Sequence, residues 1–205
     1  MVTPLFFSLA GGAMIYIKEI EKPENIARPD YAKLQSFIAH TMLKSLMSKL
    51  YGIDLTDSMI DSDAHGKPCI IGKNAIHFNI SHCDGAAVVA FGNKPIGVDI
   101  ERIRCIKPSL AEYVCTSSEL EFLSRSNNFS EDFFRLWTLK ESYVKATGEG
   151  LSYPFKNVEF CIKGDKIECN KKEFIFSQYN FKDFVLSLCY YADDEKAKNA
   201  GCVFI

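Results

Sequence analysis

Residues 137–151, WTLKESYVKATGEGL, read as the last three turns of a helix running out into a glycine turn. Lys140, Glu141 and Lys145 lie close together on it, and Gly148 and Gly150 end it. Trp137, Glu141 and Lys145 follow at i, i+4 and i+8, so they share roughly one face, with Lys140 beside it. Charged residues set among Trp137, Leu139, Tyr143 and Val144 do not make the pattern of a plain solvated face. An exposed Glu–Lys pair at this spacing contributes only about 0.3–0.5 kcal/mol. Such a pair explains the charges but not the aromatic neighbours or the G-E-G-L that follows.

Upstream, residues 95–101 read PIGVDIE. A strand has a period of two, so Ile96, Val98 and Ile100 point one way while Asp99 and Glu101 point the other. Two carboxylates one pleat repeat apart repel by roughly 3 kcal/mol at about 5 Å and an effective dielectric near 20. A divalent cation would turn that repulsion into binding, and all-oxygen ligands of this kind suit Mg²⁺. On the strand alone, a solvated edge neutralised by Arg102 and Arg104 explains the acids equally well. The helix adds Glu141 as a third oxygen donor and Lys145, one turn on, as a contact for a phosphate. In NISHCDG, His82 sits beside Ser81 at what reads as a polar turn, either solvated or donating to an anion. His40, His65 and His77 have no metal-ligand spacing with it, which argues against zinc. No oxyanion turn accompanies the Ser81–His82 pair, which argues against a serine hydrolase.

The surrounding chain supplies the scaffold. Residues 13–20 read as a first strand, and Asp30 as the N-cap of a long helix that Gly52 stops. Leu34, Phe37, Ile38, Met42, Leu46 and Leu50 form its expected core stripe, with Lys33, Lys44 and Lys49 off it. HGKP at 65–68 is a turn. GKPCIIGKN is not a P-loop, because its glycines are six apart and Asn74 replaces the Ser or Thr. Strands are expected at 75–80 and 86–91. Thr116 and Glu119 form a capping box, and Ser130 and Asp132 open the long helix of the first motif. From residue 157 the chain is mostly strand. This order predicts an α+β fold of two similar halves, each a mainly antiparallel sheet packed with a long helix. The halves are 1–93 and 94–205, with the active site between them.

Composition excludes several classes. Residues 1–100 carry nine basic and ten acidic side chains and the remainder fifteen and sixteen, so no basic excess exists for non-specific nucleic-acid binding. The eight cysteines contain no C-x-x-C pair and are expected as buried free thiols in a reducing cytoplasm. No run of about 18 apolar residues is present for a membrane span. The apolar start MVTPLFFSLAGGAM lacks the basic n-region of a signal peptide, and the folded part is expected to begin near Met14.

Four stretches in order, HGKPCI (65–70), HFNISHCDG (77–85), IGVDIE (96–101) and WTLKESYVKATGEGL (137–151), resemble the 4′-phosphopantetheinyl transferases of the larger, Sfp-like type. The resemblance covers most of residues 30–160. It implies an enzyme that moves the 4′-phosphopantetheine arm of coenzyme A onto a serine of an acyl or peptidyl carrier protein, leaving adenosine 3′,5′-bisphosphate. It makes Asp99, Glu101 and Glu141 the Mg²⁺ site. Ser81 and His82 would bind coenzyme A, with His82 on a phosphate. Lys67 would hold the nucleotide end and Lys145 the pyrophosphate, with Lys140 and Lys33 as further coenzyme A contacts. His82, Glu141 and Lys145 would be the catalytic residues, with Glu141 or a metal-bound water as the base. The family's arginine early in the first long helix is here Gln35, with Lys33 the nearest cation. A monomer without nucleic-acid or membrane partners is expected. A non-catalytic module that binds coenzyme A or carrier protein is the alternative, and the intact acid trio argues against it.

Overall fold

The computed structural model describes residues 13–62, 67–72, 76–150 and 152–192 in full, with the backbone of two outer strands at 5–8 and 203–204. The first half contains β1 (Leu5–Ser8), β2 (Met14–Glu19), α1 (Arg28–Tyr51), a small ribbon of β3 (Ile60–Ser62) and β4 (Pro68–Ile70), β5 (His77–Cys83) and β6 (Ala86–Gly92). The second contains β7 (Ile96–Arg102), α2 (Pro108–Val114), α3 (Ser117–Ser124), α4 (Phe129–Thr147), a ribbon of β8 (Phe160–Lys163) and β9 (Lys166–Cys169), the hairpin β10 (Phe174–Phe181) and β11 (Phe184–Tyr191), and β12 (Val203–Phe204).

Both halves repeat one wiring, and the expected α+β class holds. A leading strand is followed by a long helix and then a hairpin, and the leading strand pairs antiparallel with the hairpin's second strand. β2 pairs with β6, whose other neighbour is β5; β7 pairs with β11, whose other neighbour is β10. The first sheet is extended by β1 and β12, so a strand precedes the expected start near Met14. Ile96, Val98 and Ile100 lie on one face of β7 as the alternation required, sharing a core with Ile15, Ile17, Val88, Ala90, Leu186 and Leu188. The two sheets therefore bury one apolar layer between them. β5 and β7 meet through side chains: the Asn79 amide oxygen accepts from the Val98 N–H at 2.9 Å.

α4 forms where its caps and apolar face agree. The Asn128 side chain accepts from the Glu131 N–H, Glu131 and Asp132 lie in the first turn, and Gly148 closes the helix in the left-handed region at φ 76°. Phe133, Phe134, Leu136, Leu139 and Val144 are buried in the core of the second half. Trp137 packs there too, its ring centroid 6.0 Å from Phe133 and 5.7 Å from Phe155.

Four local expectations need correction. α1 begins at Arg28 after Ala27, with Pro29 in its first turn, so Asp30 is inside the helix and not its cap. Its buried stripe is Tyr31, Gln35, Ala39, Leu43 and Met47, at strict i+4 spacing. Phe37 is 68% exposed and Leu50 39%, because a small Ala39 and a hydrogen-bonded Gln35 occupy the line nearest the sheet. α4 starts at Phe129 with Asn128 as its cap, one residue before the expected Ser130. Finally, β5 runs through Ser81 and His82, so the turn is Asp84–Gly85 alone.

His65 and Ala75, read as turn and strand, lie outside the described residues. All seven described cysteines are free; Cys83, Cys115 and Cys189 are buried, whereas Cys69, Cys105 and Cys161 are exposed. Among the described residues no helix is long and apolar enough to cross a membrane.

Candidate active site

The site lies where β5, β7 and α4 converge. Gly97 makes the approach possible. A Cβ at this position would stand 2.0 Å from the Ser142 carbonyl oxygen and 2.3 Å from the Ala146 nitrogen, both backbone atoms of α4. With no side chain between them, the helix lies directly on the strand, and Lys145 reaches across to Asp99. The Lys145 ammonium is 2.7 Å from Asp99 Oδ1 and donates to Ser81 Oγ at 2.8 Å. Ser81 in turn donates its hydroxyl to the same Oδ1 at 2.8 Å. Asp99 is 5% exposed, and its Oδ2 is buried without a hydrogen-bond partner among the described residues.

Glu101, two residues on, is half sheltered and pairs with Arg104 at 2.7 Å. Burial and the Asp99 charge both raise its pKa. Glu141 is also buried, and no hydrogen bond or ion pair reaches its carboxylate among the described residues. Burial first, then the charges of Asp99 and Glu101, push its pKa up to about 7, against a lowering by Lys145. The charges of Asp99 and Glu101 thus act on Glu141, and that of Asp99 on Glu101. As they stand, no three His, Cys, Asp or Glu side chains among the described residues converge into a metal cage. The donor chemistry nevertheless fits a hard divalent cation: all-oxygen, crowded with negative charge, and with one carboxylate oxygen unpartnered.

The Glu141 environment gives a pH expectation for the metal-stripped protein. Folded, Glu141 holds its proton to about pH 7, whereas a free glutamate releases it near 4.5. The folded state thus binds more protons across that interval, and stability falls as pH rises through it, by on the order of 3 kcal/mol at most. Glu141→Gln should therefore be more stable than the wild type at pH 8 and level with it at pH 4.5. Thermal melts in chelator, read as the difference between the two proteins at each pH, cancel the other titrating groups. A pH-independent difference would refute the assignment.

Not every expected residue joins this cluster. Lys140 is corrected: it is wholly buried, 2.9 Å from Glu119, and donates to the carbonyls of Phe155 and Val158, so it is not available to coenzyme A. Lys33 points outward from α1, its side chain 80% exposed and paired with Asp30 at 3.4 Å, away from the Asp99–Lys145 contact. Lys67 donates to the carbonyls of Ile96 at 3.1 Å and Ala146 at 3.0 Å, tying the start of β4 to the seam of β7 and α4. Ser81 and His82 diverge, since neighbours on a strand face opposite sides. Ser81 meets Asp99, while His82, opposite Ala87, faces the side of the sheet that α1 covers. Burial and then Lys145 lower the His82 pKa, so the ring is neutral at pH 7.

The sequence reading missed a cationic cleft of about 450 Å³ between the start of α1 and the end of β7. Lys22, Arg28, Arg102 and Arg104 line it against two acids, Asp84 and Glu101. Gln35 lies at its base, donating to the Cys83 carbonyl at 2.6 Å. Arg28 and Lys22 are far apart in sequence from Arg102 and Arg104, so no motif spacing announces the cluster.

This is an α+β protein of two like-wired units with an acidic cluster and a basic cleft at their seam. A family model described as the 4′-phosphopantetheinyl transferase superfamily matches residues 95–189. The chain is 32% identical over 164 residues to the 4′-phosphopantetheinyl transferase gsp of Aneurinibacillus migulanus, covering 76% of this chain and 68% of that one. It is 34% identical over 122 residues to the 4′-phosphopantetheinyl transferase Sfp of Bacillus subtilis (strain 168), covering 58% of this chain and 54% of Sfp. The chain thus spans only about half the length of Sfp. A holo-[acyl-carrier-protein] synthase of Thermotoga maritima superposes with a TM-score of 0.42 at 23% identity, over 47% of this chain and 62% of that one. The chain belongs to the 4′-phosphopantetheinyl transferase family.

Proposed function

We propose that the chain transfers 4′-phosphopantetheine from coenzyme A to a serine of an apo acyl or peptidyl carrier protein, releasing adenosine 3′,5′-bisphosphate. The observation that carries this reading is the group of Asp99, Glu101 and Glu141 beside Lys145, with Glu101 also lining a cleft rich in cations. Attack on a diphosphate puts charge on its non-bridging and leaving oxygens, which fixed cations stabilise. Asp99, Glu101 and Glu141 would hold Mg²⁺, which when bound neutralises that charge. Lys145 would meet the diphosphate. Lys22, Arg28, Arg102 and Arg104 offer the remaining phosphate groups of coenzyme A the charge that Gln35 does not. The neutral His82 ring can donate one N–H to a phosphate oxygen. Glu141 would take the serine proton as the serine oxygen attacks phosphorus.

In this reading the two halves, 1–93 and 94–205, share the coenzyme A contacts, and 94–205 supplies the acids. We take the chain to act as a monomer in the cytoplasm.

Incubating the protein with coenzyme A, Mg²⁺ and a panel of apo carrier proteins tests the proposal by intact-mass spectrometry. One phosphopantetheine should be added per carrier, and no mass change with any carrier would sink it. Asp99→Ala and Glu141→Ala are each expected to slow transfer by at least about 10²-fold, as loss of a charge-stabilising group does. Near-wild-type rates in both would remove the carboxylates from the chemistry.

A further inference from the structure

Asp99 already holds a cation. Lys145, Ser81 and Asp99 form a closed ring in which the ammonium and the serine hydroxyl both donate to Oδ1, and the ammonium also donates to the serine oxygen. The three residues come from three elements, α4, β5 and β7, so the ring also staples the seam between the halves. Its members differ in mobility. The Asp99 side chain is 7% exposed and carried on β7, which is paired to β11 along its length, whereas that of Lys145 is 27% exposed and ends a long flexible stem. Lys145 is therefore the member that can leave.

We infer that Lys145 is a resident counterion of Asp99, which must swing off the carboxylate before a divalent cation is held there. Metal binding and diphosphate binding are thereby coupled through this one lysine. The inference rests on the reading of Asp99 as a metal ligand. Even with the ammonium on Oδ1 and a metal on the unpartnered Oδ2, two cations on one Asp99 carboxylate would repel strongly in a site this sheltered. An ammonium that leaves a buried carboxylate needs another anion, and the incoming diphosphate is the anion this site is proposed to receive. The substrate thus draws Lys145 outward, and the metal takes the charge it vacates. Ser81 keeps its hydrogen bond to Oδ1 throughout, so the carboxylate does not turn away.

Water-proton relaxation with Mn²⁺ as the probe reads metal affinity without any turnover. The full chain is stripped of metal and titrated without coenzyme A, as wild type, Lys145→Met, Lys145→Arg and Asp99→Asn. Lys145→Met should bind Mn²⁺ on the order of tenfold more tightly than wild type, a coupling of ordinary size. Lys145→Arg, which keeps the positive charge, should stay near wild type. Asp99→Asn should lose the site. Unchanged or weaker Mn²⁺ binding by Lys145→Met, with Asp99→Asn still abolishing it, overturns the counterion role and leaves the metal reading standing. Mn²⁺ binding that ignores Asp99→Asn, or no binding in any variant with or without adenosine 3′,5′-bisphosphate, overturns the metal reading itself and the inference with it. If Lys145→Met fails to fold by circular dichroism, Lys145→Gln, which removes the charge but keeps a polar side chain, is titrated instead. It should also bind Mn²⁺ more tightly, unchanged affinity counting against the role.

Discussion

Gly97→Ala is expected to cost about 3 kcal/mol or more, near or beyond the top of the range for overpacked positions. The added methyl would lie 2.0 Å from the Ser142 oxygen and 2.3 Å from the Ala146 nitrogen. Both are main-chain atoms in the middle and last turns of α4, so no side-chain rotation relieves the clash. The helix has to lift off the strand, and that opens the layer it seals with Leu139 and Val144. At this chain length the loss corresponds to a melting point lower by roughly 6 to 12 °C. Activity should fall further than stability alone explains, because lifting the helix carries Lys145 and Glu141 away from Asp99. Denaturant titration and the carrier-loading assay, run at a temperature where the variant remains folded, separate the two effects. A variant within 1 kcal/mol of wild type would show that the seam yields more easily than backbone packing permits.

Lys140→Met should be comparably severe for a different reason. The ammonium is wholly buried and satisfied by the Glu119 carboxylate and two backbone carbonyls, in the segment that leads into β8. Glu119 is equally buried; it also accepts from the Thr116 N–H at 2.8 Å and the Phe160 N–H at 2.9 Å. One lysine and one glutamate thus lock α3, α4 and the chain around residue 160 together. Removing the lysine leaves a buried negative charge without its cation, a loss of about 3–5 kcal/mol. Lys140→Met combined with Glu119→Gln removes both charges and keeps an acceptor for one of the two N–H groups, which reach different carboxylate oxygens. The double variant should therefore be more stable than Lys140→Met alone. If the two changes simply add, the pair is not coupled as its geometry requires.

The two cases mark where sequence reading stops. The alternation in PIGVDIE correctly set Asp99 and Glu101 opposite Ile96, Val98 and Ile100, since a strand's period admits only that division. It also put Gly97 on the acidic face, but a glycine carries no sign of what will press against it. In WTLKESYVKATGEGL the helical period joined Glu141 to Lys145. Lys140 is only one residue from Glu141, yet about 100° of helix rotation turns it into the opposite interior. Its partner, Glu119, was visible only as a capping-box residue, because the second role depends on how α3 packs. The α1 stripe was displaced for a similar reason. Gln35 is polar and is buried only because the Cys83 carbonyl awaits its amide, so apolar counting chose the neighbouring line of larger side chains. The cationic cleft was out of reach altogether, assembled from residues 74 to 82 positions apart.

The side-chain seam between β5 and β7 has a consequence for fragments of this chain. β7 ends its sheet and β5 ends the other, and each edge is shielded by the opposite half. A fragment spanning only 94–205 would expose the free backbone edge of β7 together with the apolar layer of Ile96, Val98, Ile100, Leu186 and Leu188. An uncovered edge beside an uncovered apolar face is a template for pairing with another copy. Such a fragment should self-associate, and the first half, in the intact chain, does the work of a solubilising partner that never dissociates.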